Sequence, residues 1–169
     1  RGLVAADQYG VHFSGGAIGY SVGELGTVLR TEDTGASWDL MTELTNRDIR
    51  FDDVDVLPSN DALLVGRRTG ANSPAAFKIS STLAITSAGL SGMNGFFDFT
   101  GVRGWQNGMT WWWYTSINDG ANGTVAWATT SANFNVSTNS ATIGSRSTMV
   151  SGNATSTGIG FMAGSSGAL

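Results

Sequence analysis

The stretch that decides the fold runs from Ile18 to Thr31 and reads Ile-Gly-Tyr-Ser-Val-Gly-Glu-Leu-Gly-Thr-Val-Leu-Arg-Thr. Aromatic and β-branched residues stand on both sides of a short turn, which has Gly23 and Gly26 at its ends. Glycine tolerates the positive φ of tight turns, and β-branched side chains suit pleated strands. The stretch therefore predicts a β-hairpin with a two-residue loop.

The same hairpin pattern recurs along the chain. A copy that begins at Ile159 reads Ile-Gly-Phe-Met-Ala-Gly-Ser-Ser-Gly-Ala-Leu and matches the first hairpin in residue class at most positions. Weaker copies begin at Asp61 and Gly108. The positions that we take as equivalent are Gly23, Gly66, Tyr114 and Gly164. Their spacing of 43 to 50 residues is typical of four-stranded propeller blades.

The repeat predicts an all-β fold of β-propeller type, with about three blades and a truncated fourth. In this single repeat domain the blade-like units span residues 11–48, 49–94, 95–143 and 144–169, and the last unit is incomplete. The simpler interpretation of an incomplete unit is that the chain continues in a longer protein; the alternatives are that another chain or its own N-terminal strand completes the unit. A β-sandwich is the alternative, because its strands are also regularly spaced.

Composition limits the possible functions. The 169 residues include 24 glycines, only 13% are charged, and the net charge is −4. Nucleic-acid phosphates require clustered lysine and arginine, so we expect no nucleic-acid partner. With no cysteine and one histidine, His12, the chain has no disulfide and no thiolate or two-histidine metal site. No apolar run is long enough for a membrane span, and we expect no cofactor.

The segment from Thr31 to Trp38 reads Thr-Glu-Asp-Thr-Gly-Ala-Ser-Trp and resembles the Asp-box, also called the BNR repeat. The defining positions are Thr31, Asp33, Gly35, Ser37 and Trp38. We expect Asp33 to accept hydrogen bonds from amides of its own turn and Gly35 to take a positive φ. We expect Trp38 to bury its indole between neighbouring blades. The box is structural in the families that carry it, so it predicts a fold and no site.

Residues 11–41 as a whole resemble a blade of the photosystem II assembly factor (Ycf48) type, and sialidase-like propellers also carry the box. Residues 49–81 and 95–134 resemble such blades loosely. In the second unit, Ser80, Ser81 and Thr82 stand where the box should be, without its Asp or Trp. The resemblance implies the propeller fold and leaves the specific function open.

Aromatic residues crowd into one window and are the candidate ligand-binding residues: Trp105, Trp111, Trp112, Trp113 and Tyr114. Alternate residues of a strand face opposite sides, so Trp111 and Trp113 share one face while Trp112 and Tyr114 share the other. The preferred interpretation is core on one side of the strand and a contact with another blade or subunit on the other. The alternative is that one pair packs between blades and the other offers a stacking platform for sugar rings.

An acidic cluster, Asp48, Asp52, Asp53 and Asp55, lies in a strand whose Ile49, Phe51, Val54 and Val56 we expect to face inward. Asp52, Asp53 and Asp55 are weak candidates for a calcium site, and the preferred interpretation is a solvated strand edge blunted by charge. A glycosidase would need two carboxylates, from this cluster or Asp98, converging in a central cleft. Because no arginine lies in a sialidase-like setting, we predict no catalytic residue. His12 is interpreted as a structural histidine.

Together these patterns predict a non-catalytic recognition or assembly module of a surface-exposed protein, of the phage-tail, virion or secreted-adhesin type. The expected partners are other protein chains of an assembly, surface glycans, or both. The expected setting is extracellular or the virion surface, with the periplasm or a lumen as the alternative. Two other functions stay open: a purely structural subunit of a virion or assembly, and a sialidase-like glycoside hydrolase fragment.

Overall fold

The computed structural model describes residues 6–45, 48–71, 73–87, 89–91, 98–107, 110–118, 123–129, 135–137, 142–143, 151–154 and 160–163. Apart from one short 3-10 turn, the regular elements in these ranges are strands, which confirms the prediction of an all-β chain. Within the same ranges, no helix is long and apolar enough to cross a membrane.

The first two sheets are four-stranded antiparallel meanders, in which each strand pairs with its neighbour in sequence. The first contains β1 (Gln8–Phe13), β2 (Gly19–Gly23), β3 (Val28–Thr31) and β4 (Asp39–Leu40). The 3-10 turn, Glu24–Gly26, forms the predicted loop between β2 and β3. The second sheet contains β5 (Ile49–Val56), β6 (Ala62–Arg68), β7 (Ser73–Ile79) and β8 (Ile85–Ser87).

The third sheet has a meander of the same kind at its centre. It contains β10 (Asp98–Asn107), β11 (Thr110–Asn118), β12 (Gly123–Thr129) and β13 (Asn135–Ser137). Two short strands extend it: β9 (Gly89–Ser91) pairs with β13 in parallel, and β14 (Thr142–Ile143) pairs with β12. A fourth sheet is described as a hairpin of β15 (Ser151–Ala154) and β16 (Gly160–Ala163).

The same irregularity marks the first strand of each of the three larger sheets. The register shifts by one residue after Gln8 in β1, after Phe51 in β5 and after Phe99 in β10. Such a β-bulge increases local twist at a strand. Counting from the bulge makes Val11, Val54 and Val102 equivalent positions of a structural repeat.

The pairing register also relates the last hairpin to the first. Ala154 pairs with Gly160 as Phe13 pairs with Gly19, and the correspondence holds along both hairpins. In the third sheet, however, Ile117 and not Tyr114 takes the pairing position of Gly23 and Gly66. Because β10 and β11 are longer than the corresponding strands of the first sheet, the equivalent position lies at Ile117, after the Tyr114 that residue spacing had suggested.

The first strands of successive sheets lie side by side: β1 contacts β5, β5 contacts β10, and β10 contacts β15. We call these four the inner strands. The described core fills the space between the first two sheets, with Tyr20 and Val22 on one side and Leu64 and Phe77 on the other. The residues predicted to face inward, Ile49, Phe51, Val54 and Val56, are at most 3% exposed. Burial of each such side chain contributes about 1.5–3 kcal/mol.

Candidate functional site

Polar side chains of β1 and β5 bind the backbone of the next inner strand. His12 Nδ1 accepts the N–H of Val56 at 2.9 Å. Asp53 Oδ2 accepts the N–H of Val102 at 3.0 Å, and Asp55 Oδ2 accepts the N–H of Gly104 at 2.6 Å. The free edge of a sheet carries unpaired amides, which must find acceptors when they are buried. These three side chains supply the acceptors, and His12 is structural as predicted.

The three weak metal candidates are engaged by neighbouring groups. Asp52 Oδ1 lies 2.6 Å from the Arg50 guanidinium, and Asp53 Oδ2 lies 2.9 Å from that of Arg103. Asp55 Oδ1 lies 3.2 Å from His12 Nδ1. Among the described residues, no group of three His, Asp or Glu side chains is arranged to hold a metal ion.

Our interpretation of the acidic strand as a solvated edge was wrong for Asp55. Its side chain is buried, with 4% exposure, because the edge of β5 lies against β10 instead of water. Burial raises the pKa of Asp55, while the hydrogen bond from the Gly104 N–H opposes the increase. Asp48 accepts a hydrogen bond from the N–H of Gly70 and is not part of this inter-sheet network.

A solvent-exposed cluster stands at the start of the inner strands. Tyr9 is 48% exposed and Leu25, in the 3-10 turn, is 58% exposed. The Tyr9 hydroxyl donates to Glu24 Oε1 at 2.8 Å, and this bond raises the pKa of Tyr9. The Arg50 guanidinium lies 5.4 Å from the centroid of the Tyr9 ring. We call Tyr9, Glu24, Leu25 and Arg50 the Tyr9 cluster.

The Tyr9 cluster has the chemistry of a protein-binding surface. It presents an oriented aromatic ring, an exposed aliphatic side chain and charges of both signs, and Tyr and Arg are enriched in interface hot spots. Leu25 has a φ of 56°, a conformation that is uncommon in residues other than glycine. Sequence reasoning missed this cluster because Tyr9 and Arg50 are far apart in the chain and neither belongs to a motif.

The Thr31–Trp38 turn lies at the other end of the first sheet and has the predicted hydrogen bonds. Asp33 accepts the Ser37 N–H at 2.8 Å and the Ser37 hydroxyl at 2.6 Å. The Gly35 N–H donates to Thr31 Oγ1 at 2.9 Å, and Gly35 has a φ of 92°. The Ser37 hydroxyl, the Ser37 amide and the Thr31 hydroxyl lower the pKa of Asp33 to about 2.

Trp38 differs from its prediction. The indole is half-buried, and its described ring contact is an edge-on packing against Phe13, with centroids 6.0 Å apart. Phe13 lies in β1, so this contact joins the turn to its own sheet, whereas we predicted a position between neighbouring blades.

The candidate ligand-binding aromatics lie on two adjacent strands. Trp105 is in β10, and Trp111, Trp112, Trp113 and Tyr114 are in β11. The register places Trp105 opposite Trp112, and Trp127 opposite Tyr114. Their side chains lie outside the part of the chain that the structure describes, so the stacking platform stays a prediction.

No protein-family model matches the chain, and no curated protein matches it either. Solved structures do match. A structure titled "YCF48 bound to D1 peptide" has a TM-score of 0.62 at 18% identity, over 95% of this chain and 48% of that chain. YCF48 from Cyanidioschyzon merolae has a TM-score of 0.57 at 20% identity, over 95% of this chain and 51% of the other.

The chain thus spans about half the length of these solved structures. YCF48 is a β-propeller, and the likeness at this level of identity bears on the fold alone. The antiparallel sheets, the side-by-side inner strands and this likeness together show that the chain has a fold of the β-propeller type.

Proposed function

We propose that the chain is a non-catalytic propeller module that binds other proteins. The observation that carries the proposal is the Tyr9 cluster, an exposed aromatic and aliphatic surface held in place by Glu24 and Arg50. One of the similar solved structures is YCF48 with a D1 peptide bound. A propeller of related shape can therefore receive a peptide, and the proposed partner class for this chain is a protein segment.

The acidic residues support a non-catalytic module. Asp53 and Asp55 accept backbone amides of β10, which assigns them to holding sheets together. A carboxylate that acts as a nucleophile or general acid must instead reach substrate. We also infer that Thr31–Trp38 is an Asp-box turn with a structural role, since its hydrogen bonds connect residues of the turn itself.

Selection of displayed random peptides on the 169-residue chain tests protein binding at the Tyr9 cluster. We expect the retained peptides to bind the Tyr9→Ala variant at least about thirtyfold more weakly, because loss of a central hot-spot aromatic costs about 2 kcal/mol or more. Leu83→Ala is the matched control, since Leu83 is 44% exposed and lies outside the cluster. Equal loss in both variants, or no retained peptide, would contradict the proposal.

We further propose surface glycans as a second partner class, and an extracellular or virion-surface setting of the phage-tail or adhesin type. The cross-strand pairs Trp105–Trp112 and Trp127–Tyr114 support the glycan proposal, because residues at directly paired positions share a face of the sheet and aromatic residues suit stacking on sugars. A glycan array probed with the wild-type chain should give signals that Trp112→Ala loses and Tyr9→Ala retains. An array without signal would instead favour the purely structural subunit.

A further inference from the structure

The ring nitrogen Nδ1 of His12 has two polar neighbours on β5. The N–H of Val56 points at it from 2.9 Å, and Oδ1 of Asp55 lies 3.2 Å away. A ring nitrogen that accepts a hydrogen bond has a lone pair and no hydrogen of its own. The Val56 amide therefore identifies Nδ1 as the unprotonated nitrogen of His12.

The contact between His12 and Asp55 is favourable in this form of His12 only when the carboxyl group carries a proton. An ionised carboxylate can only accept hydrogen bonds, so Asp55 Oδ1 and the bare Nδ1 would face each other with their lone pairs at 3.2 Å. A hydrogen on Oδ1 turns the same contact into a hydrogen bond from Asp55 to His12. The other oxygen, Oδ2, accepts the Gly104 N–H at 2.6 Å, which leaves Oδ1 as the oxygen that carries the proton.

The surroundings of Asp55 favour the neutral acid. The residue is 4% exposed, and an ionised carboxyl group is costly to bury without a partner of opposite charge. Arg103, on the neighbouring strand β10, is bound to Asp53 at 2.9 Å. Lys78, two strands away in the same sheet as Asp55, is bound to Asp61 at 3.2 Å. Burial raises the pKa of Asp55 and the charge of Asp53 raises it further, while the charge of Arg103 lowers it.

The charged groups of the first sheet are also paired with one another. The residue opposite His12 is Tyr20, whose hydroxyl accepts a hydrogen bond from Arg30 at 3.1 Å. Arg30 also forms an ion pair with Glu32. In the described part of the chain, His12 is thus the hydrogen-bonding partner of Asp55 Oδ1. The His12 side chain is 36% exposed, so a proton held between the two residues can exchange with solvent.

We propose that Asp55 is a carboxylic acid in the folded chain, and that its proton, held between Oδ1 and His12 Nδ1, makes the contact between the first and second sheets sensitive to pH. With the proton in place, Nδ1 accepts the Val56 N–H and, over the longer distance, the Asp55 O–H. When the proton is lost, the carboxylate repels the bare nitrogen, so His12 turns away or moves its own hydrogen to Nδ1. In either case the Val56 amide loses its acceptor. The device goes beyond the proposed binding function and does not depend on the Tyr9 cluster.

Urea titrations of the wild type and Asp55→Asn at a series of pH values test the protonated state. Burial raises the folded-state pKa of Asp55 above its ordinary value of 3.8. Its stabilisation is therefore complete below pH 3.8 and is lost as the pH rises through the folded-state value. Asp55→Asn keeps a donor for His12 and an acceptor for Gly104 without a titrating proton. Relative to this variant, the unfolding equilibrium constant of the wild type should increase by up to about tenfold per pH unit across that interval.

Carbon NMR of the wild-type chain, with its aspartates labelled, observes the proton without any substitution in the measured protein. The carboxyl resonance that is missing from the spectrum of Asp55→Asn identifies Asp55. We expect this carbon to keep the chemical shift of a protonated acid at pH values above 3.8. A carboxyl carbon that titrates at or below pH 3.8 overturns the proposal, as does a difference in stability between the wild type and Asp55→Asn that does not change with pH.

Amide hydrogen exchange tests whether the proton controls the contact between the sheets. Val54 is the control within the same strand, because its N–H donates to Asp53 Oδ1 at 2.9 Å and not to His12. As the pH rises, exchange at Val56 should accelerate relative to Val54 in the wild type, and Asp55→Asn should abolish this difference. Exchange at Val56 that follows Val54 at every pH overturns the pH sensitivity of the contact.

Discussion

Asp33 shows how single hydrogen bonds define the first-sheet turn. The Ser37 hydroxyl and amide and the Thr31 hydroxyl all donate to its carboxylate. Hydrogen bonds to the ionised form favour it, and they lower the Asp33 pKa from 3.8 to about 2. The resemblance of this segment to the Asp-box and the chemistry of its turn residues predicted this arrangement, because all partners lie within one short segment.

We expect acid to remove the contribution of Asp33 to stability. Since folding lowers its pKa, the contribution is complete above pH 3.8 and is lost as the pH falls through about 2. The difference in unfolding free energy between the wild type and Asp33→Asn should therefore shrink across that interval in urea titrations. A difference that is independent of pH would contradict the assignment.

In the first and second sheets, a glycine lies at the same position close to the backbone of the inner strand. A Cβ on Gly23 would lie 1.9 Å from the Asp7 carbonyl oxygen, and one on Gly66 would lie 2.0 Å from that of Arg50. Both glycines pair with the residue just before the β-bulge. The repeated Val-Gly of the hairpin pattern thus reflects a steric requirement of the inner strand.

Gly66→Ala tests this requirement at the scale of one strand pair. Because the new methyl group meets backbone that cannot swing away, we expect a loss of roughly 1–3 kcal/mol in unfolding free energy. Gly16→Ala is the control, as the nearest atom to its added Cβ is 4.0 Å away. Chemical denaturation of both variants provides the measurement, and equal stabilities would refute the steric explanation.

The turn after β7 shares backbone features with the Thr31–Trp38 turn that the sequence motif did not reveal. Ser80 Oγ accepts the Ala84 N–H at 3.0 Å, as Thr31 Oγ1 accepts the Gly35 N–H at 2.9 Å. Leu83 and Thr34, the residues before those amides, both have positive φ values, 66° and 59°. The second sheet keeps the hydroxyl-anchored backbone of the turn without its Asp or Trp, so a search for the full motif does not find it.

At the scale of the whole molecule, side chains of β1 and β5 bind the backbone of the next inner strand. Asp53 accepts the Val102 N–H and pairs with Arg103, which ties the second sheet to the third. Asp53→Ala should leave the buried Val102 amide without its acceptor and cost roughly 1–3 kcal/mol. Asp53→Asn keeps an oxygen at this position and should cost less.

Thermal and urea unfolding of the two Asp53 variants measures how much Asp53 contributes to stability. The exposed Asp39→Ala is the control. If Asp53→Ala and Asp39→Ala have the same stability, the carboxylate does not hold the sheets together. A smaller loss for Asp53→Asn than for Asp53→Ala would separate the missing hydrogen-bond acceptor from the missing charge.

The local structure of this protein could be predicted from its residues: the hairpins, the Thr31–Trp38 turn and the inward face of Ile49, Phe51, Val54 and Val56. Turn chemistry and side-chain alternation depend on residues a few positions apart, so one short stretch of sequence is enough to predict them. The groups that His12, Asp53 and Asp55 bind, and the exposure of Tyr9 and Val11, depend instead on how the sheets pack. An edge strand that faces water and an edge strand that packs against another sheet have the same alternation of polar and apolar residues. The packing of sheets that are distant in sequence determines whether a given edge is exposed or buried.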